Sequence, residues 1–510
     1  MSSQCSYEKM LYGERRHCQF DVPTEDLIDF GGKKWCLFHL PVERETDKSE
    51  KALQGASEDE WNRYQDAFNS KIFRYVALRL KQIDELIKSD SKEGSYEIDL
   101  SGVVFPCYID FCKCPEIEHG IVSLNLSDAV FNSDVDFIGL KFFSPTSFIN
   151  TKFNRQVLFN GASFWQVSFR HAFFHGLADF ENVVIKNIGD FRNTIFNGEA
   201  LFDKLQCKEG AQISFEDAEF RYGCFFREAQ FLGKVNYRNG LFGGGAYFTN
   251  AVFKGDANFE QTVDTKKTIP DRSRPREFIE SIWFIYLDED NPGKWMMDET
   301  KFQGRAIFRR RQFLIPTNFN AAEFDKVPEF QDAEFNKDTQ FKGTIFRDFI
   351  GHDNADAVGA YRALQQVTKQ VVSKEEEINF AALRQNALIK SRNTSLFYKA
   401  ILLGFKFACD FGRNIAKVIL LLLLTNLVFF VIYEAISWSG WHSIGKCFTF
   451  TVNQIKSPYA LWVYSYIEKV PDYITANITV FQILTSIHAT INGLLSLALL
   501  WSIQIRFRIF

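Results

Sequence analysis

Along two long stretches of the chain the apolar positions follow a count of eleven, split into six and five. From Phe302 the series runs Phe308, Phe313, Phe319, Phe324, Phe330, Phe335, Phe341 and Phe346. The same count governs Phe131, Phe137, Phe142, Phe148, Phe153, Phe159, Phe164, Phe169, Phe174 and Phe180, and it returns at Phe215, Phe220, Phe231, Phe242 and Phe253. Neither the helical period nor the two-residue alternation of a strand produces this spacing. A solenoid does, because every turn sets the same bulky side chain against the same interior wall. The residue two before each Phe is usually small, as at Ala129, Thr146, Thr151, Ala162, Ala172, Ala178, Thr194, Ala306, Ala322, Ala333 and Thr344. Positions two apart on an extended chain point the same way, so each wall contributes one small and one large inward side chain.

The pattern divides the chain. Solenoid block one spans 96–261 and block two 301–350, with a charged insertion over 262–300. Residues 1–56 form an N-terminal segment rich in Cys and His. Within 57–95, Ser57 to Lys88 reads as an amphipathic helix that starts at a Ser57/Glu60 capping box and covers the open edge of the solenoid. After Phe349 the beat stops, and 351–414 reads as a helical hairpin (Asp356 to Val372 and Lys374 to Ser391, with a second capping box at Ser373 and Glu376) followed by an interfacial stretch, Leu396 to Gly412.

Residues 415–510 have a different pattern. Ile415 to Ile436 contains an uncharged run from Val418 to Tyr433, and Ile474 to Ile505 contains no Asp, Glu, Lys or Arg. A bilayer needs about 20 apolar residues per helix, which predicts two transmembrane spans with Lys417 snorkelling to the headgroups. Lys390, Arg392, Lys399, Lys406, Arg413 and Lys417 precede the first span, and Arg506 and Arg508 follow the second. Positive flanks belong inside, so both termini and the solenoid are expected in the cytoplasm.

The Phe-centred pentads resemble the pentapeptide-repeat family. The resemblance implies a mainly β fold, a right-handed quadrilateral β-helix, here joined to α-helical caps and linkers and a two-helix transmembrane α domain. Cys207, on a beat position, and the insertion depart from the pattern. Trp35-Cys36-Leu37-Phe38-His39 is also similar to a segment ahead of the repeats in bacterial members, which implies a bacterial inner membrane.

Composition adds little beyond this. The 510 residues are 46% hydrophobic with a net charge of −4. The repeats are near charge balance, against the acidic, DNA-mimicking role of some soluble family members. The opening Met-Ser-Ser-Gln-Cys is polar and predicts no secretory signal, so the ten cysteines are expected as thiols or metal ligands rather than disulfides. No phosphate loop, nucleophile elbow or His-Glu-x-x-His is found, and no enzyme is expected.

Three candidate sites remain. Cys5, Cys18, Cys36 and His39 supply the three sulfurs and one nitrogen of a structural zinc centre, against unliganded thiols in a small apolar cluster; Cys107, Cys112 and Cys114, with His119, form a weaker group. Lys266, Lys267, Arg272, Arg274, Arg276, Arg305, Arg309, Arg310 and Arg311 form a basic set suited to an anion, nucleotide or oligonucleotide, against a solvated face. Thr451, Asn453, Gln482, Thr485 and His488 are polar positions of the membrane domain expected to line a pore, His488 weighed equally as an inter-helix hydrogen bond.

Asp410-Phe411-Gly412-Arg413, Phe450-Thr451-Val452-Asn453 and Arg506-Phe507-Arg508-Ile509 resemble pieces of the two-helix potassium-channel module. Where the Thr-Val-Gly-Tyr-Gly filter belongs, the chain reads Asn453-Gln454-Ile455-Lys456-Ser457-Pro458, so potassium selectivity is not carried over. The architecture is similar to antiphage channel effectors of the Hailong type, which implies a homotetrameric channel gated by oligonucleotides or by a protein encoded nearby. The alternative expectation is a membrane-anchored scaffold that conducts nothing.

Overall fold

The computed structural model describes residues 5–11, 14–20, 23–40, 57–89, 96–114, 122–264, 294–347, 358–362, 364–365, 374–437, 451 and 478–507. The chain divides into two compact units, Met1–Ile350 and Gly351–Phe510.

The first unit is built on a parallel β-solenoid of about ten turns. Each coil carries four short strands, as in Val130–Phe131, Val135–Asp136, Lys141–Phe142 and Thr146–Ser147, and each strand pairs in parallel with its counterparts in the neighbouring coils. Two of the four walls fuse into one sheet because Ser163–Ser168 and Val184–Asp190 run straight across a corner, with a bulge between Phe164 and Gln166.

The Phe beat now has a physical cause. Residues about 22 apart stack on one wall with nearly parallel rings: Phe131 on Phe153 at 5.1 Å, Phe153 on Phe174 at 4.8 Å, Phe180 on Phe202 at 4.9 Å. Rings on opposite walls meet edge to face across the core, as Phe169 and Phe180 do at 5.3 Å and 85°. These are the two arrangements the ring quadrupole favours. Five-residue steps turn through one left-handed residue, among them Asn150, Asn193, Asn239 and Asn250, all with φ between 57° and 59°. Asn tolerates that conformation better than most residues. Cys207 is buried in the ladder between Ile185 and Phe231, as its beat position requires.

At one corner the coils touch through backbone alone. A Cβ on Gly255 would lie 2.0 Å from the Gly233 carbonyl oxygen, and one on Gly304 would lie 2.0 Å from that of Gly255. Gly255→Ala is expected to cost about 1–3 kcal/mol through forced backbone displacement, seen as a lower unfolding midpoint; an unchanged midpoint would mean the corner is soft.

The two repeat blocks form one continuous solenoid. The coils resume at Trp295–Met296, inside the span expected to be insertion, and Ala246 pairs with Trp295 and Phe253 with Phe302 across the break. The rest of the insertion, 265–293, lies outside the described residues. Helix α1 (Glu58–Lys88) starts at the Ser57/Glu60 capping box. Ahead of it come two antiparallel hairpins, β1 (Glu8–Leu11) with β2 (Glu14–His17), and β3 (Ile28–Phe30) with β4 (Lys33–Trp35).

The second unit is helical: α2 (Lys374–Lys390), α3 (Leu396–Cys409), α4 (Ile415–Ser437) and α5 (Ile478–Phe507). Residues 358–362 and 364–365 are helical too, while the Ser373/Glu376 capping box lies outside what the structure describes. Ser395 caps α3 by accepting from the Tyr398 amide. Three consecutive left-handed residues, Asp410, Phe411 and Gly412, turn the chain from α3 into α4. Phe411 is held there by burial against Ala382 and Leu402. Helices α4 and α5 contain stretches of 21 and 22 residues, Ile415–Ala435 and Ile483–Gln504, long and apolar enough to cross a membrane.

Candidate functional site

The N-terminal hairpins bring four donors together. Cys18 Sγ lies 3.7 Å from Cys36 Sγ, Cys36 Sγ lies 3.2 Å from His39 Nδ1, and Cys5 Sγ lies 3.8 Å from the same nitrogen. All four donor atoms fall within 4.8 Å of one another, and the set can hold a metal ion. The Cys36 amide donates to Cys5 Sγ at 3.2 Å, and His39 Nε2 faces the Ser101 carbonyl oxygen at 3.1 Å. A donated Nε2–H fixes the tautomer that leaves Nδ1 as an electron-pair donor.

The four groups also perturb one another. Hydrogen bonds from Cys18 and Cys36 pull the Cys5 thiol down. Hydrogen bonds to Cys18 and Cys5, together with burial, push Cys36 up. Burial lowers the His39 imidazole, but hydrogen bonds with Cys18 and Cys5 outweigh it and bring it up to about 9. Cys107, Cys112 and Cys114 do not make a comparable set: Cys112 groups instead with Asp110 and Asp136, and His119 is outside the described residues.

The basic residues do not assemble as the sequence suggested, as far as they are described. Lys266, Lys267, Arg272, Arg274 and Arg276 lie outside the described residues. Arg305 and Arg309 both pair with Glu329, and Arg310 occupies a left-handed corner. Arg311 corrects the expectation of a surface triplet, since it is fully buried. It points inward because its place, two before Phe313, belongs to the small inward residue of a pentad.

Asp264 explains how a guanidinium survives there. By register it replaces a ladder Phe, pairing with Phe242, and its carboxylate binds the Arg311 guanidinium. The same carboxylate accepts from Trp295 Nε1 at 2.9 Å and from the Leu314 amide at 2.9 Å. Arg311 also donates to the Thr262 carbonyl oxygen at 3.1 Å and lies 4.4 Å from the Trp295 ring and 4.6 Å from that of Phe313. Trp295, in the register of Ala246, fills the volume vacated where Asp replaces Phe. Burial lowers the Arg311 pKa, opposed by Asp264.

In the helical unit the polar residues of the spans face each other. His488 Nε2 lies 3.1 Å from Asn426 Oδ1, and His488 Nδ1 lies 3.1 Å from the Tyr433 hydroxyl. Asn426 and Asn492 exchange amide hydrogen bonds at 3.2 and 3.1 Å, and Phe429 stacks on the imidazole at 4.1 Å. His488 makes the inter-helix hydrogen bond that was one of its two expected roles. Thr485 and Thr451 are buried; the Gln482 side chain and Asn453 are outside the described residues. Sequence reasoning missed Asn426 and Asn492. The signal was present, since an Asn inside an apolar span needs a partner and Asn492 follows His488 by one helical turn. On the outward surface, Ile419, Leu420, Leu423, Leu427, Ile487, Leu494 and Leu497 are exposed, interrupted on α5 by exposed Ser486 and Thr490.

The family model described as "Pentapeptide repeats (9 copies)" matches residues 213–263. No curated protein and no solved structure gives a match. The matched segment lies within the Phe-lined coils, and together with the β-solenoid it supports a pentapeptide-repeat protein, with two apolar helices consistent with membrane association.

Proposed function

We propose that this protein is a homo-oligomeric, ion-conducting protein of the bacterial inner membrane, regulated by its cytoplasmic solenoid. The observation that carries this reading is the order of elements in the helical unit. Surface helix α3 leads through the left-handed Asp410–Gly412 turn into the first span. The second span packs antiparallel to it, Asn426 opposite Asn492 and Tyr433 opposite His488. One such hairpin encloses no channel, so conduction requires several copies, four by resemblance. Ser486 and Thr490, exposed on α5, are proposed to line the shared pore. An oligonucleotide or a protein encoded nearby is the proposed trigger, and depolarisation in antiphage defence the proposed outcome. The metal proposed for Cys5, Cys18, Cys36 and His39 is zinc, in a structural role.

A second reading, a membrane-anchored scaffold, is favoured by the inward-turned Asn426–His488–Asn492 network, which leaves most of the hairpin surface apolar. Ion flux from liposomes containing the purified full chain separates the two. A conducting protein is expected to release trapped ions, with or without added oligonucleotide, and to change its flux severalfold in Ser486→Leu/Thr490→Leu. No flux under any condition, with the chain shown to be inserted, would leave the scaffold.

A further inference from the structure

A solenoid's first coil exposes a row of unpaired backbone groups, and such an edge invites pairing with another chain. Here the row is covered by specific donors and acceptors. On the first coil the carbonyls of Glu97, Asp99, Ser101 and Tyr108 and the Val104 amide face away from the next coil, and each meets a partner outside the coil. Helix α1 covers part of the row: Arg79 Nε donates to the Glu97 carbonyl at 3.2 Å, the Tyr75 hydroxyl to that of Asp99 at 3.1 Å, and Asn69 Nδ2 to that of Tyr108 at 2.9 Å.

A further part is covered from the Cys/His segment. Gln19 Nε2 donates to the Asp99 and Ser101 carbonyls at 3.2 and 3.0 Å, the Phe38 carbonyl accepts from the Val104 amide at 2.8 Å, and His39 Nε2 meets the Ser101 carbonyl. Each of these residues is adjacent to a metal donor in sequence or is one: Gln19 follows Cys18, and Phe38 precedes His39. Tyr7, two residues after Cys5, stacks on His39 at 3.9 Å and packs over Gly102, where a Cβ would fall 2.2 Å from its ring. These hairpins are short; Ser6 ties the Cys5 strand to Lys34, and the four-donor cluster draws Cys5, Cys18 and Cys36 to one point.

We infer that a zinc ion bound by Cys5, Cys18, Cys36 and His39 Nδ1 is the clasp that holds the N-terminal segment on the solenoid's first edge, so that metal binding and edge capping are one event. The inference rests on the zinc reading above. A tetrahedral ion with metal–sulfur bonds of about 2.3 Å separates its sulfurs by roughly 3.8 Å, which matches the 3.7 Å between Cys18 and Cys36. The Ser101 carbonyl is then both the partner that orients His39 and a member of the edge. Metal affinity is thereby coupled to docking of the cap.

The test uses the full chain, purified in detergent. Metal analysis is expected to give about one zinc per chain, and cobalt(II) exchanged into the site is expected to show thiolate-to-cobalt absorption. Hydrogen exchange is then followed with and without a chelator. The Val104 amide, bonded to Phe38, is expected to exchange at least about tenfold faster without metal, while mid-solenoid coils around Phe248 keep their rates. Absence of both zinc and the cobalt band would remove the zinc reading and the clasp with it. Bound metal with unchanged exchange at Val104 would overturn the clasp alone. His39→Ala removes both the nitrogen donor and the link to Ser101, so it is expected to lose metal and to expose Val104 even without chelator. A variant that retains both metal and protection would also overturn the coupling.

Discussion

Replacing Arg311 with methionine is expected to destabilise the solenoid by about 3–5 kcal/mol, because it leaves the Asp264 carboxylate in the core without its counter-charge. The side chains are similar in length, so the loss measures charge more than volume. Converting both partners, in Asp264→Leu/Arg311→Met, removes both charges and is expected to cost far less than Arg311→Met alone, or nothing. The measurement is urea unfolding of the purified chain, read together with hydrogen exchange across Trp295 to Phe313. A double variant less stable than either single one would show that the pair is held by shape and not by charge. The comparison also bears on the oligonucleotide reading. Arg311 is buried, so a loss of ligand binding in its variants reports damage to the coil, whereas Arg309, half-exposed beside Glu329, is the position from which a direct contact can be tested.

Phe202→Ala is expected to cost about 3–5 kcal/mol as well, by opening a cavity that the coils cannot close. Phe202 stacks between Phe180 at 4.9 Å and Phe226 at 4.7 Å and meets Phe191 and Phe215 edge to face at 5.7 and 5.3 Å. Rigid strand pairing above and below prevents the walls from collapsing inward. Trp165→Ala is the matched control, since Trp165 is 45% exposed and its loss is expected to stay near 0.5 kcal/mol. Thermal unfolding of both variants reads the difference. Equal shifts would mean that the ring ladder contributes no more than surface contacts do.

The readings that held were those in which a residue's neighbours are set by the repeat. Phe at a fixed count can only stack on Phe one coil away, so coil length, inward face and the buried place of Cys207 follow from spacing. The Ser57/Glu60 cap is local, within one turn of chain, and was legible for that reason. Arg311 shows where reading by composition misled: three consecutive arginines look like a charged surface, yet the repeat assigns the third to the interior. The register was already legible from Phe308 and Phe313, and what it lacked was the partner. Asp264 is 47 residues away in sequence, on the far side of the insertion, and no local pattern links the two.

The same division runs through the other sites. The sequence by itself determined the solenoid, its turn length, the two apolar stretches and the residue types able to bind a metal, because each depends on periodicity, length or donor chemistry along the chain. Only the tertiary structure decided which donors converge, that His39 offers Nδ1 while Nε2 meets Ser101, that Asn426, Asn492 and Tyr433 close around His488, and that the charged pair Asp264–Arg311 lies in the core. Those outcomes depend on distances between segments far apart in sequence. Such distances are fixed by how coils and helices stack, and no count along one strand or one helix contains them.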